Sequence, residues 1–508
     1  MIRRLTSPAR PSSHLAAAAA LFAGVTVLPA PAGAATPIPR SGATSLPAFQ
    51  GSAAKPRPIR RVPLPPRNRF MARNGNSNVH NDTWMTDAYS RRGPLGRSPN
   101  VFSARLGGRV CITLTFDRRG RIVASCISPV TGSRLFMLDP NSLDSLAEYP
   151  IPNLPPPPGI PATTNTTGGA YFYLDNHDRA VIATATGHIW VVKETGGRSN
   201  PGFKRVRDYD VRRYLARDER LPSALPDFRG RIWFVGRQNG TVGVLNRRTG
   251  RARRIRLREE IENSFAIARE GVYIATDKAM YRINRGRRDK PRVTWRARYK
   301  NSRVSKPGQF NAGTGTTPTV MGRGYVTITD NADPMNVVVF RRRARLRRGQ
   351  RRKVCQVPVF HKGASATENS LIVAGRAIIV ENNYGYVLGQ TANGKLSEPG
   401  LARVDVRRNG RGCRLRWWNR TERAPSVVPK ASLATGLVYT FTKDPDPGSA
   451  DSWFWTALSF RSGKTVWKRL AGTGGSYNNH YAGIALGPDR RTAYLGGIGG
   501  IMALRDAR

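Results

Sequence analysis

A short hydrophobic strand led by glycine returns along this chain about every fifty residues, a period that belongs to repeat architectures. The copies run Gly120-Arg-Ile-Val-Ala-Ser, Gly187-His-Ile-Trp-Val-Val, Gly230-Arg-Ile-Trp-Phe-Val, Gly271-Val-Tyr-Ile-Ala-Thr and Gly324-Tyr-Val-Thr-Ile-Thr. Gly375-Arg-Ala-Ile-Ile-Val and Gly436-Leu-Val-Tyr-Thr-Phe follow, and Ala493-Tyr-Leu-Gly-Gly-Ile closes the series without the leading glycine. Several short strands per repeat, each repeat one four-stranded blade, predict an all-β fold: a β-propeller of about eight blades, with seven as the alternative.

The unit from Leu225 to Leu257 shows the plan most plainly. A strand at 231–235 passes through Gln238-Asn239-Gly240 into 241–245, and Thr249-Gly250 turns into 251–257; Asn-Gly and Thr-Gly between apolar runs are hairpin signals. The last unit, 483–504, holds only about three strands. Ring closure therefore calls for a strand from the other terminus, and 80–89 or 101–105 is the expected donor.

In the unit before it stands Ala457-Leu-Ser-Phe-Arg-Ser462-Gly463-Lys464-Thr-Val-Trp467. This segment resembles the blade motif of quinoprotein-like (PQQ-dehydrogenase-like) propellers, close to Ala-x-Asp-x-x-Thr-Gly-x-x-x-Trp, with Ser459 in place of Asp and Ser462 in place of Thr. The Val244–Arg254 copy keeps Thr249-Gly250 but has Arg254 where the Trp would stand. The resemblance implies that the turn and the Trp dock one blade onto the next. Adjacent cysteines and a Trp motif in most blades, which mark the quinone-binding members, are missing, so a bound PQQ is not supported. Trp190, Trp233, Trp295 and Trp467 are expected to pack between blades.

The chain has 508 residues, and its first segment is no part of the repeat. Arg3, Arg4 and Arg10 precede an apolar run from Leu15 to Leu28, and Ala32-Gly33-Ala34 offers a small-residue cleavage signal. Residues 1–34 are a secretory signal peptide by this pattern, too short for a comfortable span. Residues 35–74, rich in Pro, Arg, Ala and Ser, are expected to be a disordered, flexible or polyproline-like linker, leaving 75–508 as a single propeller domain. No transmembrane segment is expected in the mature chain, which is placed outside the cell or in its envelope, as a monomer.

Four cysteines, Cys111, Cys126, Cys355 and Cys413, fit two disulfides in an oxidising compartment. Local pairs are expected, Cys111–Cys126 and Cys355–Cys413, because bridges between blades would span more sequence. A turn at Asp117-Arg118-Arg119-Gly120 with Gly120 as a left-handed bulge would shift the first hairpin by one residue and separate its cysteines, whereas a two-residue loop would oppose them.

The formal net charge is +52, from 84 Lys and Arg against 32 Asp and Glu. Such a charge favours polyanions: an anionic envelope polymer or a lipid surface. Its densest stretch, Arg341-Arg342-Arg343-Ala-Arg345-Leu-Arg347-Arg348-Gly-Gln-Arg351-Arg352-Lys353, lies between two strands of one repeat as an exposed loop. No recognition module accompanies it, so sequence-specific nucleic-acid binding is not expected.

In a chain this short of acids, segments joining carboxylates and amides stand out. They are Asp330-Asn331-Ala-Asp333-Pro-Met-Asn336, Thr367-Glu368-Asn369 and Glu381-Asn382-Asn383-Tyr384, together with Tyr477-Asn478-Asn479-His480, Asp175-Asn176-His177-Asp178, His80-Asn81-Asp82 and Gly313-Thr-Gly-Thr-Thr317. At inner-strand ends they converge on a central funnel, where Asp330, Asn331, Asp333, Glu368, Asn369, Glu381, Asn382, Asn383, Asn479 and His480 are the candidate ligand-binding residues. Oxygen donors of this kind suit Ca²⁺, with Asp330 and Glu381 as the ligands. Histidine spacing for zinc, a nucleophile elbow and a Walker loop are all lacking in the sequence. The expected function is a ligand-, partner- or polymer-binding propeller acting through its funnel and basic loops. The alternative is a metal-assisted oxidoreductase or hydrolase, quinoprotein-like or lactonase-like, with Asp330 or Glu381 as metal ligand or base and His480 as proton shuttle.

Overall fold

Alternating Val, Ile, Tyr and Phe make each repeat a meander of four strands, and both faces of its inner strands are buried against neighbouring blades. The second strand of the third repeat, Ile232–Val235, is buried at every position, whereas the outermost strand of the second, Gly202–Asp210, is mostly exposed. In the computed structural model, which describes residues 35–128, 130–155, 168–197, 199–448 and 450–508, eight antiparallel blades of four strands result. Blade 1 spans 110–151, blade 2 173–210, blade 3 223–256, blade 4 266–298, blade 5 319–358, blade 6 372–419 and blade 7 430–473. The signal-peptide expectation falls on residues 1–34, outside the described residues; those described lie within one compact unit, Ala32–Arg508.

Blade 8 takes three strands from the C-terminus, Ala485–Leu486, Thr492–Gly497 and Gly500–Arg505. Its fourth, Asn100–Arg105, comes from the N-terminal side and pairs Asn100 with Arg505 through to Arg105 with Gly500. The expected closure by 101–105 is the one observed. The glycine-led strand is the second strand of its blade in every copy but one. In blade 2, Gly187 leads the third strand, His188–Thr195, and the second, Ala180–Ala183, follows Asp178 instead. Asp178, with φ 57°, takes the left-handed position that Gly120 (φ 82°) and Gly230 (φ 79°) hold in the matching turns of blades 1 and 3. In each of these three turns an aspartate holds the chain. Asp117, Asp175 and Asp227 accept the backbone N–H groups two and four residues on, at 2.8–3.1 Å.

Strand order fixes two faces. Turns between strands 1 and 2, and between 3 and 4, lie at one end; loops between strands 2 and 3, and the connections between blades, lie at the other. The first will be called the turn face and the second the connection face. Asp175–Asp178 therefore belongs to the turn face and not to the set expected at the funnel.

Residues 35–74 do not hang free as their composition suggests. They form an extended strap tied down by backbone hydrogen bonds. Phe49–Gly51 adds a strand outside blade 7, and Arg57 and Ile59 donate their N–H to Thr435 and Leu433 at 2.8 Å each. The strap then crosses the turn face to Phe70, which covers Gly230; a Cβ there would sit 2.7 Å from the Phe70 ring.

The chain next enters the axis. Ala72 N–H reaches Leu174 O at 2.9 Å, Asn78 bridges Tyr173, and the carbonyls of Thr83, Trp84, Thr86 and Asp87 accept from the inner strands of blades 4, 5, 6 and 7 at 2.7–2.9 Å. Ala88–Tyr89 runs parallel to Lys430–Ser432. The channel is thus plugged from the turn face by the protein's own N-terminal segment, which the sequence pattern did not reveal.

Both expected disulfides form. In blade 1 the hairpin pairs Phe116 with Ile122 and Thr113 with Ser125, a register that would set Cys126 opposite Ile112. A single bulged residue, Ile112, returns Cys111 to Cys126. The second bridge is not internal to a blade: Cys355 lies in Lys353–Pro358 of blade 5 and Cys413 in Cys413–Asn419 of blade 6, so it joins outer strands of neighbours. Aromatic residues complete the docking. Trp417 of blade 6 covers Gly463, φ 72°, where a Cβ would collide with the ring, and donates its Nε1–H to Phe460 O at 3.1 Å. Tyr209 does the same from blade 2 to Arg247 O of blade 3 at 2.8 Å. Trp295 stacks on Phe340 across blades 4 and 5, with centroids 6.4 Å apart.

Candidate functional site

Above the plug, the connection face encloses a narrow axial chamber of about 40 Å³, room for two or three waters. Each blade-to-blade connection from Ala170 to Tyr481 except that between blades 2 and 3 supplies part of the wall. Partly exposed Tyr171, Phe310 and Tyr481 stand toward the mouth, while buried His80, Glu368, Asn369 and Ser370 form the polar floor. Phe310 and Tyr481 meet edge to face at 4.7 Å.

The plug carries the first half of the floor. Lys430, fully buried, pairs with Asp87, whose other oxygen accepts from Ser370 Oγ at 2.7 Å and lies 3.1 Å from His80 Nδ1. Burial opposes the charge on Asp87, yet Lys430 and His80 hold its carboxyl below the usual range. With Nδ1 beside a carboxylate, the neutral imidazole carries its one proton there, the tautomer that leaves Nε2 as an acceptor. His80 Nε2 is buried and has no hydrogen-bond partner among the described residues. Asp82, two residues on, has its carboxyl pushed up to about 7 by burial.

Two connections carry the second half. Glu262 and Asn263 precede the inner strand of blade 4 as Glu-Asn-Ser, and Glu368 and Asn369 precede that of blade 6 as the same tripeptide. Burial drives both Glu262 and Glu368 upward; the charge of Glu262 raises Glu368 further, while Glu368 favours the ionised form of Glu262 through a side-chain hydrogen bond. Arg237 holds Glu262 at 3.1 Å and Glu260 at 2.9 Å. Phe310 N–H donates to Glu368 Oε2 at 3.2 Å. Two buried carboxyls coupled in this way titrate together, with the proton held by Glu368 and accepted by Glu262.

Of the ten residues expected at the funnel, Glu368, Asn369 and His480 line the chamber. His480 Nδ1 lies 3.0 Å from Tyr386 Oη. Glu381 stands behind the floor, accepting from Asn369 at 2.6 Å and Asn383 at 3.1 Å, with its carboxyl pushed up to about 8 by burial. Asn383 also takes the N–H of Glu368 at 2.9 Å, so it positions the floor. Asn479 accepts from Ser426 at 3.5 Å. The others are spent on their own loops. Asp330 binds Asn336 Nδ2 through both oxygens at 3.0 and 2.9 Å, Asn331 donates to Val304 O and Ala312 O, Asp333 caps Gly363 N–H at 2.7 Å, and Asn382 donates to Ala364 O.

The shared Ca²⁺ site expected of Asp330 and Glu381 therefore finds no ligand set. Among the described residues no three His, Cys, Asp or Glu side chains gather where they could hold a metal ion. An anionic quinone fits no better, because the floor presents carboxyls. Asp87, Glu262, Asn263, Tyr171, Ser370 and Tyr481 were not among the expected residues.

The remaining charge is unevenly spread between the faces. The 2–3 loops of the connection face carry Asp277, Asp330, Asp333, Glu398, Asp446 and Asp451 beside Arg237, Lys278 and Lys395, while 3–4 turns of the turn face carry Arg248, Arg288, Arg347, Arg348, Arg408 and Arg461 beside Asp139, Asp144 and Asp289. In the basic loop, Arg342 pairs with Glu270, and Arg352 binds Arg341 O at 2.8 Å and covers Trp295. Exposed Arg343, Arg345, Arg347, Arg348 and Arg351 make no side-chain hydrogen bond or ion pair among the described residues. A second basic surface is a groove of about 800 Å³ where the strap's Arg57 and Arg60 face Arg403, Arg416 and Arg461.

No protein-family model matches the chain. A protein of Archaeoglobus fulgidus named only as uncharacterised is 29% identical over 374 residues, covering 67% of this chain and 70% of that one. Among solved structures, a catalytically inactive virginiamycin B lyase from Staphylococcus aureus with quinupristin is 10% identical, with a TM-score of 0.40 over 80% of this chain and 100% of that one. Chaetomium thermophilum Sqt1, bound to the N-terminus of a ribosomal protein, is 11% identical, with a TM-score of 0.47 over 76% and 94%.

Proposed function

We propose that the chain is an exported, monomeric binding propeller of the cell envelope that docks on an anionic polymer through its turn face and receives a ligand in the chamber opposite. One observation carries this reading: the long 3–4 turn of blade 5 sets five exposed arginines without side-chain partners among the described residues on the turn face, while the chamber opens among acids and amides on the other. Export is supported by the basic-apolar-small pattern of residues 1–34 and by two disulfides. No helix among the described residues is long and apolar enough to cross a membrane.

Binding to immobilised polyphosphate, with neutral dextran as control, tests the docking face. Retention is expected to fall steeply as NaCl rises, since each phosphate neutralised releases counterions. Changing Arg343, Arg345, Arg347, Arg348 and Arg351 to Gln is expected to weaken retention at least tenfold at 0.1 M salt. Equal retention by the variant, or retention indifferent to salt, overturns this use of the face.

A second reading, acid–base catalysis in the chamber, is favoured by one arrangement: His80, oriented by Asp87, presents Nε2 to the space that the proton-sharing Glu262–Glu368 pair adjoins. A base and a raised-pKa acid beside one cavity are what such chemistry requires. It stands in place of the alternative read from the sequence, a metal-assisted oxidoreductase or hydrolase.

A further inference from the structure

The hydrogen-bonding inventory of the chamber specifies its ligand more closely. Donors on its wall are already engaged. Tyr171 Oη–H donates to Asn263 Oδ1 at 2.9 Å, Tyr481 Oη–H to Gly308 O at 3.0 Å and Ser370 Oγ–H to Asp87 at 2.7 Å. Asn369 Nδ2 serves Glu381, Asn383 and Val427 O, and the Asn263 amide turns to Glu368.

The acceptors are in the opposite state. His80, 3% exposed, keeps Nε2 without a partner, and Glu368, 6% exposed, keeps Oε1 without one beyond the proton it shares with Glu262. A buried acceptor left unsatisfied costs about 1–3 kcal/mol, more when charged. A space with vacant acceptors and engaged donors rejects anions and selects a molecule that brings N–H or O–H groups.

Charge narrows the class. Around the pair, Glu260, Glu262 and Glu368 face the guanidinium of Arg237, with Arg220 near it and itself close to Asp218, and on the plug side Asp87 is balanced by Lys430. With one proton shared between Glu262 and Glu368, the group retains a negative charge. A cation entering the chamber takes the place of that proton. The rings of Tyr171, Phe310 and Tyr481 at the mouth offer faces and edges to an apolar body and to the cation itself.

We propose that the axial chamber is a site for the protonated primary amine of a small organic cation. The ammonium donates to His80 Nε2 and Glu368 Oε1, and the alkyl or aromatic body lies against Tyr171, Phe310 and Tyr481. A chamber of about 40 Å³ admits the ammonium and its first carbons and leaves the rest at the mouth. The inference rests on the reading of the chamber as a ligand site. It has a thermodynamic signature that a neutral donor lacks. Because the amine stabilises the ionised pair, binding near neutral pH expels a proton, and affinity rises from pH 6 to pH 8.5.

Titration calorimetry of the full mature chain with n-pentylamine, pentan-1-ol and tetramethylammonium, in MOPS and in cacodylate, buffers that bring no primary ammonium group of their own, tests this. Pentylamine is expected to bind with a buffer-dependent heat that reports proton release. Pentan-1-ol and tetramethylammonium, which lacks N–H donors, are expected to bind at least tenfold more weakly. Glu368→Gln is expected to lose at least tenfold in amine affinity and the buffer dependence, with its thermal melt kept as the check on folding; Phe310→Ala, at the mouth, is expected to weaken pentylamine about threefold to tenfold. Equal binding of amine and alcohol, or undiminished amine binding by Glu368→Gln, overturns the amine assignment and leaves a ligand chamber standing. No heat with any probe, together with polymer binding intact, overturns the chamber as a site.

Discussion

Glu381 shows what burial without a cation does to a carboxyl. Two amide donors, Asn369 and Asn383, hold one oxygen, yet desolvation outweighs them and the group is pushed up to about 8. The sign of its effect on stability follows. Its folded pKa lies above the unfolded value of 4.5, so the stabilisation is complete below about 4.5 and is lost as pH rises through about 8. Asp82, pushed up to about 7, acts in the same direction. Glu381→Gln keeps the neutral shape at every pH. Its melting temperature is expected to fall less than that of the natural chain between pH 5 and pH 9, with the variant the more stable by a few degrees at pH 9, corresponding to about 2–4 kcal/mol. Parallel curves would remove Glu381 from the pH response. At this scale the candidate site was half legible. Scarcity of acids drew the eye to Glu368, Asn369 and His480, which do line the chamber. The same rule missed Glu262-Asn263-Ser264 although it repeats Glu368-Asn369-Ser370, because only the fold shows that both precede an inner strand. Asp87 lay beyond reach: its segment carries no repeat, and its partners Lys430 and Ser370 are more than 280 residues away.

Among the elements, the outer strands are the ones that need tying. Lys353–Pro358 and Cys413–Asn419 are only partly buried, and the Cys355–Cys413 bridge joins them across a blade boundary. In the chain-entropy account a closed loop of 58 residues contributes about 4 kcal/mol, against about 3 kcal/mol for the 15-residue loop of Cys111–Cys126. The Cys355–Cys413 bridge restrains weak strands; the Cys111–Cys126 bridge restrains a hairpin already buried. Cys355→Ser with Cys413→Ser is therefore expected to lower the melting temperature and to speed amide exchange at 353–358 and 413–419 while the inner strands keep their protection. Faster exchange spread evenly over all blades would show that the bridge holds the ring and not its edge. Blades were legible because each is a local meander whose apolar runs and turns lie within about fifty residues. The Ile112 bulge was not, since the sequence states the turn but leaves the correction to packing. Nor was the plug, whose attachment is made by backbone carbonyls that any side-chain sequence can supply.

For the whole molecule, the question is how a chain of net charge +52 stays folded. Carboxylates relieve some of the repulsion locally: Asp117, Asp175 and Asp405 each bind an arginine at 2.5–2.7 Å. They are too few to neutralise the turn face, where strap and 3–4 turns place Arg57, Arg60, Arg347, Arg348 and Arg461 without ion pairs among the described residues. The N-terminal segment compounds the cost, because closure requires it to lie on that face before it fills the axis and supplies Asn100–Arg105 to blade 8. Net self-repulsion of this kind destabilises the compact state and is screened by salt, the Debye length falling from about 30 Å at 0.01 M to about 10 Å at 0.1 M. The melting temperature is accordingly expected to rise by several degrees between 0.01 and 0.3 M NaCl. Most of the rise belongs below 0.1 M, where screening first becomes shorter than the spacing between neighbouring blades' turns. The variant with Arg343, Arg345, Arg347, Arg348 and Arg351 changed to Gln is expected to start higher and rise less, since part of the repulsion has been removed. Polyphosphate at low salt should reproduce the effect of NaCl on the natural chain and do little for the variant, which separates charge screening from a general salting-out of apolar surface. A melting temperature indifferent to salt would mean that the turn face bears its charge without strain, and the link between its arginines and the N-terminal strap would fall.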